Sequence, residues 1–229
     1  MAMFVLSVGG STIVPGGKVN VPFLNDFKKL ITARVKRGDR FAIIAGGGGT
    51  CREYQAGLKQ MAKPTREDLD WLGIHVTRLN AHLLRLAFGT KLAHKDIVID
   101  PTKVVKKSWK TPVIFGSGWI PGRSTDDDAV RLAKQLGATT VINMSNVDYL
   151  YDKDPRHHKD AKRIEDITWK DYRKIVGNEW ISGMNLPFDP IASKLAQSLK
   201  LRVVLIGSDT KNLQAVLSGK KFKGTVIHP

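Results

Sequence analysis

The stretch "FAIIAGGGGTCREY" (residues 41–54) runs from five apolar residues straight into four consecutive glycines, with an arginine three positions later. The apolar run is continuous rather than alternating, the pattern of a strand buried on both faces. Each glycine loses more conformational freedom on folding than any other residue, so four in a row need compensation. A phosphate held by backbone N–H groups at the start of the next helix would supply it. The run is not a Walker loop, because no lysine follows it, and it is not a G-x-G-x-x-G fingerprint in its proper place.

Similar punctuated runs recur along the chain. "MFVLSV" (3–8) stops at Gly9 and Gly10, and "IVID" (97–100), "PVIF" (112–115), "TVINM" (140–144) and "RVVLIG" (202–207) read as further buried strands. Helical spacing separates them. Phe23, Leu24, Phe27, Leu30, Ile31 and Val35 mark one helix, closed by Gly38, and another begins near Thr50. Thr65 with Glu67 and Asp68 gives a capped, acidic start to a third, whose apolar positions continue through Leu69, Leu72, Val76, Leu79 and Leu83. The charged segment 152–166 reads as an exposed connection. This alternation predicts an α/β fold, a three-layer αβα sandwich around an open, mostly parallel sheet, with residues 1–229 as a single domain.

Ligands of such sheets bind beyond the carboxyl ends of the strands. Four loops fall there: 9–11, 46–49, 116–126 and 145–151. Composition narrows the chemistry less. With 42% hydrophobic and 25% charged residues the chain is ordinary for a globular protein, but 37 Lys+Arg against 21 Asp+Glu give +16. The basic residues are spread along the whole chain without a basic tail, so a solvated basic surface is expected and nucleic acid is not expected as a partner. The single cysteine, Cys51, excludes an intrachain disulfide and a zinc-ligand set, which fits a cytoplasmic protein. No run is long enough to span a membrane.

Six motifs occur in one order: "SVGGS" (7–11), "AGGGGTCREY" (45–54), "DWLGIHVTRLNA" (70–81), "GRSTDDDAVRLA" (122–133), "NVDYLYDKDP" (146–155) and "PFDPIASKLA" (187–196). Together they resemble the uridylate kinases of the amino acid kinase superfamily, in their archaeal-type branch, over essentially the whole chain. The resemblance implies transfer of the ATP γ-phosphate to UMP with Mg²⁺, in pyrimidine nucleotide synthesis, by a homohexamer built as a trimer of dimers. It implies that Gly9, Gly10 and Ser11 cradle the transferring phosphate, and that Gly48 and Arg52 sit beside the donor phosphates. Ser145, Asn146, Tyr151 and Asp154 match the ATP segment. Gly47, Asp70, Ser117, Gly118, Arg123, Ser124 and Thr125 match the UMP side, with Asp70 on the ribose. Asp126 and Asp189 fall in catalytic positions, and no metal-ligating residue is assigned.

Each of these has a plainer alternative. Arg52 could be a surface arginine, Asp70 a helix-face carboxylate, Asp189 an N-cap, Tyr151 a core aromatic, and Asp127 and Asp128 structural or solvated. Three departures from the family pattern stand out. Ser7 occupies the place of a first-loop lysine, as in the archaeal branch. Tyr149 replaces the glycine of a Val-Asp-Gly turn. The acceptor loop "GSGWIPGRSTD" (116–126) is one residue longer and carries Arg123. The rival readings are a superfamily kinase for another acceptor (isopentenyl phosphate, carbamate or an amino acid) and a non-catalytic nucleotide- or RNA-binding protein. The region "TCREYQ" (50–55) lacks the histidine that isopentenyl phosphate kinases place there.

Overall fold

The computed structural model describes residues 2–105, 109–153, 157–179 and 186–229. The opening stretch becomes strand β2 (Arg40–Ala45) leading into helix α3 (Gly48–Met61). Strand β1 (Met3–Val8) pairs with β2 in parallel, from Met3 opposite Arg40 to Val8 opposite Ala45. Strands β3 (Val113–Gly116), β4 (Thr140–Met144) and β8 (Arg202–Ile206) continue the parallel set. Among the described residues the sheet has seven strands, in the order β3-β2-β1-β4-β8-β9-β7. Its far edge reverses: β9 (Thr225–His228) is antiparallel to β8, and β7 (Asp166–Thr168) runs parallel to β9.

Period-2 alternation divides the buried strand residues between two cores. Val5, Ala42, Ile44, Val141, Val203 and Leu205 face the layer of α5 (Thr125–Leu136), α6 (Trp169–Val176) and α7 (Pro190–Ser198). Leu6, Ile43, Ile142, Val204 and Ile206 face α2 (Val21–Lys36), α4 (Arg66–Phe88) and α8 (Thr210–Leu217). The three-layer αβα sandwich around an open, mostly parallel sheet, expected from the sequence, is therefore present.

Helix punctuation follows the sequence closely. Gly38 takes φ +94 just past the end of α2, and Thr65 and Asp68 form a reciprocal capping box at the start of α4. Other expectations need correction. Leu79 is 65% exposed, because the stripe facing the core is made by Ile74, Thr77, Ala81, Leu84 and Phe88. Of the predicted series, Val76 is buried and Leu83 packs against the core, while Leu69 and Leu72 are half-buried, so Leu79 alone is exposed. "IVID" is not a strand: only Val98 bridges Gly116, beside β3 at the sheet edge, and Asp100 instead caps a short 3₁₀ turn that begins with Pro101. Within the connection expected at 152–166, residues 157–160 are exposed, and β6 (Arg163–Ile164) forms an antiparallel pair with β5 (Leu150–Tyr151).

The glycine run is explained first by packing between two loops. A Cβ at Gly10 would collide with the backbone of Gly47 and Gly48, and one at Gly46 would lie 2.7 Å from Gly10 N. At Gly47 it would lie 2.8 Å from Cys51 Cβ, and Gly48 combines φ +66 with a clash against Gly10 and Ser11. Gly49 is different, with nothing nearer than Gly16 N at 3.9 Å. Gly10→Ala should therefore cost about 1–3 kcal/mol through backbone overpacking. Gly49→Ala should be neutral or stabilise by about 0.5–1 kcal/mol through helix propensity. Urea denaturation of the two variants checks this contrast, and equal effects would contradict it.

Candidate active site

The glycine loops stand at the carboxyl ends of β1 and β2, the edge at which β3 and β4 also end. Gly9 N–H donates to Met144 O at 2.8 Å and Gly46 N–H to Val8 O at 2.8 Å. Buried Asn80 on α4 donates to Gly46 O at 2.8 Å, tying the second loop to the helix behind it. Arg52, exposed on the first turns of α3, reaches across to Ser11, with Nη2 3.4 Å from Oγ. This places a guanidinium beside the backbone amides of two glycine loops, a geometry suited to phosphate oxygens.

A cavity of about 240 Å³ adjoins this cradle. Gly47, Gly48 and Arg52 line one part of it, while Asp70, Gly118, and Arg123 to Asp126 line another. Asp70 is 6% exposed; its Oδ2 accepts from Gly122 N at 2.8 Å, while Oδ1 is buried with no partner. A buried carboxylate oxygen without a donor is costly. A ligand hydroxyl entering the cavity would satisfy it. Arg123 lies 3.8 Å from Asp127, which Arg131 also engages at 2.7 Å.

Asp126 and Asp189 also line this cavity, and they form an acidic pair. Ser7 Oγ and Asn143 Nδ2 both donate to Asp126 Oδ1, at 3.0 and 2.9 Å. Asp189 Oδ1 accepts from the N–H groups of Ile191 and Ala192 as the N-cap of α7, while its Oδ2 accepts from Ser124. The cap and the cavity-lining position thus coexist in one side chain. Burial, and then the negative charge of Asp189, pushes the Asp126 carboxyl up to about 7. Burial raises Asp189 as well.

Not every predicted residue reaches the cavity. Ser117 is 1% exposed and is held by Val98 O and its own turn, so its environment is structural. Ser145 sits against Gly9 but uses its hydroxyl within its own turn, with Val147. Asn146 is exposed and Tyr151 half-buried on β5, and neither lines the cavity; Asp154 lies outside the described residues. Asp127 and Asp128, weighed as structural or solvated, are fully buried: Asp127 holds Arg131, and Asp128 accepts from Trp119 N at 3.2 Å. Sequence reasoning missed Ser7 and Asn143 as partners of Asp126, and Thr77, whose Oγ1 accepts from Gly118 N at 2.8 Å. A polar residue inside the apolar run "TVINM" was the available signal for Asn143.

Residues 2–207 match the model of the amino acid kinase family. The chain belongs to that family. A uridylate kinase of Methanospirillum hungatei is 32% identical over 99% of this chain and 95% of its own length. One of Thermococcus onnurineus is 34% identical over 98% of this chain and 99% of its own. Among solved structures, the uridylate kinase of Archaeoglobus fulgidus superposes with a TM-score of 0.82 at 30% identity, covering 99% of this chain and 100% of that one. The aspartate kinase of Synechocystis shares the fold at TM-score 0.73 and 17% identity, over 99% of this chain and 39% of that one.

The acidic pair makes folding stability depend on pH. With the Asp126 carboxyl raised from 3.8 to about 7, the folded chain keeps a proton that the unfolded chain releases. Stability therefore falls as pH climbs from about 4 to 7. Asp126→Asn removes this dependence, so its Tm relative to the parent should improve between pH 5 and 7 and level off by pH 8. A pH-independent difference in Tm would contradict the raised carboxyl.

Proposed function

We propose that this chain transfers the γ-phosphoryl group of ATP to UMP, giving UDP and ADP in cytoplasmic pyrimidine nucleotide synthesis. The observation that carries the proposal is the cavity itself: it runs from Gly47, Gly48 and Arg52, beside the two-loop cradle, to Asp70, a carboxylate with one buried oxygen that has no donor. The uridylate kinases similar to this chain over nearly its whole length support the same reading. Phosphoryl transfer asks mainly for positioning and for neutralisation of charge on the moving group. Here Gly9, tied by its N–H to Met144 O, sets the turn, and the Gly10 amide with Ser11 orients the transferring phosphate. Gly47 contacts the UMP phosphate, while Gly48 and Arg52 contact the donor phosphates.

UMP presents an anionic phosphate oxygen as nucleophile, so no general base is needed. Asp70 Oδ1 accepts from a ribose hydroxyl, and Arg123 to Thr125 with Gly118 close around the nucleotide. Ser145, Asn146, Tyr151 and Asp154 belong to the ATP side in this reading. Among the described residues no group of three or more His, Cys, Asp or Glu is arranged to hold a metal ion. That fits Mg²⁺ arriving on the phosphates of ATP, with at most one or two carboxylates such as Asp126 beside it. When bound, the ion neutralises phosphate charge. Self-association belongs to the same proposal, and Trp71, Leu79 and Leu86, exposed on α4, offer an apolar surface for it to bury.

An ATP–Mg²⁺ assay across nucleoside monophosphates and small phosphate acceptors tests the assignment. UMP should turn over fastest, and faster turnover of isopentenyl phosphate or AMP would overturn it. Asp70→Asn keeps an oxygen for Gly122 but points a donor into the cavity. The lost hydrogen bond is worth about 1.5–3 kcal/mol, so KM for UMP should rise on the order of 10- to 100-fold with KM for ATP little changed. Equal losses for both substrates would make Asp70 structural. In steady-state kinetics Arg52→Ala should lower kcat strongly, whereas Arg123→Ala should lower it less and chiefly raise KM for UMP. Near-parental turnover of Arg52→Ala, with the fold confirmed by circular dichroism, would remove that arginine from the mechanism.

A further inference from the structure

The net charge of +16 is not used by the nucleotide site. Along the chain the basic residues look evenly spread, but the fold gathers two basic segments onto one surface. Residues 18–38 and 209–223 together hold ten Lys or Arg and two Asp. One of the ten, Arg34, is consumed by an inward pair with buried Asp39 at 2.7 Å. The same Arg34 joins the segments: its Nη2 donates to Leu217 O at 2.8 Å and its Nη1 to Ser218 Oγ at 3.3 Å.

The joined surface is firmly built. Lys29, Lys36 and Arg37 are exposed, and Lys28, Lys29 and Lys36 line a groove along α2. Beyond α8, Lys220, Lys221 and Lys223 are also exposed. Their loop is pinned by Lys220 N–H to Ala215 O at 2.9 Å and by a reciprocal pair between Lys223 backbone and Asn212 side chain at 2.6 and 2.8 Å. Of the two aspartates, Asp209 caps α8 and Asp26 stands 3.5 Å from Lys29. Lys36 and Arg37 lie where α2 returns to the start of β2, at the sheet edge opposite the glycine loops. Lys36, Arg37 and the Lys220 turn held to Ala215 therefore lie away from the nucleotide cavity, whereas Lys223 lies toward the opposite edge, beside Asn212 near the start of α8.

We propose that this face binds the phosphate backbone of a nucleic-acid duplex without reading sequence. A duplex carries one negative charge per about 1.7 Å, and a fixed array of lysines is suited to releasing its counterions. Single strands are held largely by stacking on aromatic side chains. The exposed aromatic residues among those described, Tyr54 and Trp71, lie on α3 and α4, not on this face. A bilayer surface would call for apolar residues to insert among the lysines; the exposed large apolar residues of these segments, Val19 and Val21, sit together at the start of α2.

The test uses the full-length protein and fluorescence anisotropy with labelled 20-base-pair DNA and RNA duplexes, the matching single strands, and vesicles containing anionic lipid. Duplexes of unrelated sequence should bind equally. If about six phosphates are engaged, affinity should drop about 10³-fold between 50 and 200 mM salt. The charge-reversal variant Lys36→Glu/Arg37→Glu/Lys220→Glu/Lys221→Glu should lose at least tenfold in duplex affinity while turning over UMP at the parental rate. The corresponding Gln variant, a milder change, should show an intermediate loss. No duplex binding at 50 mM salt would overturn the proposal. So would parental affinity in both variants, tighter binding of single strands, or binding to vesicles alone.

Discussion

The backbone contact between the loop after β1 and the loop after β2 is the constraint on which the rest of the site depends. Gly10, Gly46 and Gly48 pack so closely across the two loops that a methyl group at any of these three positions meets the other loop's backbone at clash distance, and one at Gly47 meets Cys51. Two parallel strands therefore end with their amides side by side, and α1 (Gly10–Ile13) and α3 start from one point. Asn80 and Met144 O hold that junction from behind and from the neighbouring strand. The glycines need no ligand to explain them. Their packing creates the ligand site as a consequence, because amides that cannot be covered by side chains remain open to phosphate oxygens.

Beside this cradle the chain carries an unusual electrostatic balance. Ser7 stands where many members of the superfamily have lysine, and its hydroxyl is spent on Asp126. Asp126 and Asp189 are instead satisfied by serine and asparagine donors and by the amides that open α7. Hydrogen bonds to neutral donors offset burial only in part, which is why the Asp126 carboxyl titrates near neutrality rather than in the acid range. Arg131 and Arg123 both engage Asp127. Asp128 accepts from the Trp119 amide, and burial, then the charge of Asp127, raises its carboxyl well above the usual range against the opposing pull of Arg131 and Arg123.

Much of this was legible in the residues. Continuous apolar runs set the parallel strands, because a strand covered on both faces cannot alternate. Thr65 with Asp68, and Asp189 before Pro190, marked helix starts through short-range capping that needs no tertiary partner. The glycine run, Arg52 and Asp70 were identifiable by motif order, and the fold brings Gly47 and Gly48 of that run, Arg52 and Asp70 to one cavity. "IVID" was misread because a four-residue apolar run carries no information about whether a neighbouring strand has room to pair with it.

Sequence alone thus determined local conformation, the order of strands and helices, and the chemistry available at each strand end, since these depend on neighbours within a few positions. Tertiary structure decided the rest. It turned Leu79 outward and Asp127 and Asp128 inward, and it left Asp70 Oδ1 without a donor inside a cavity. It drew the lysines of residues 18–38 and 209–223 onto one face through Arg34. The physical reason is common to all of these. Burial, pairing and charge density are properties of space, and residues almost 200 positions apart become neighbours only when the sheet and its helices have closed around them.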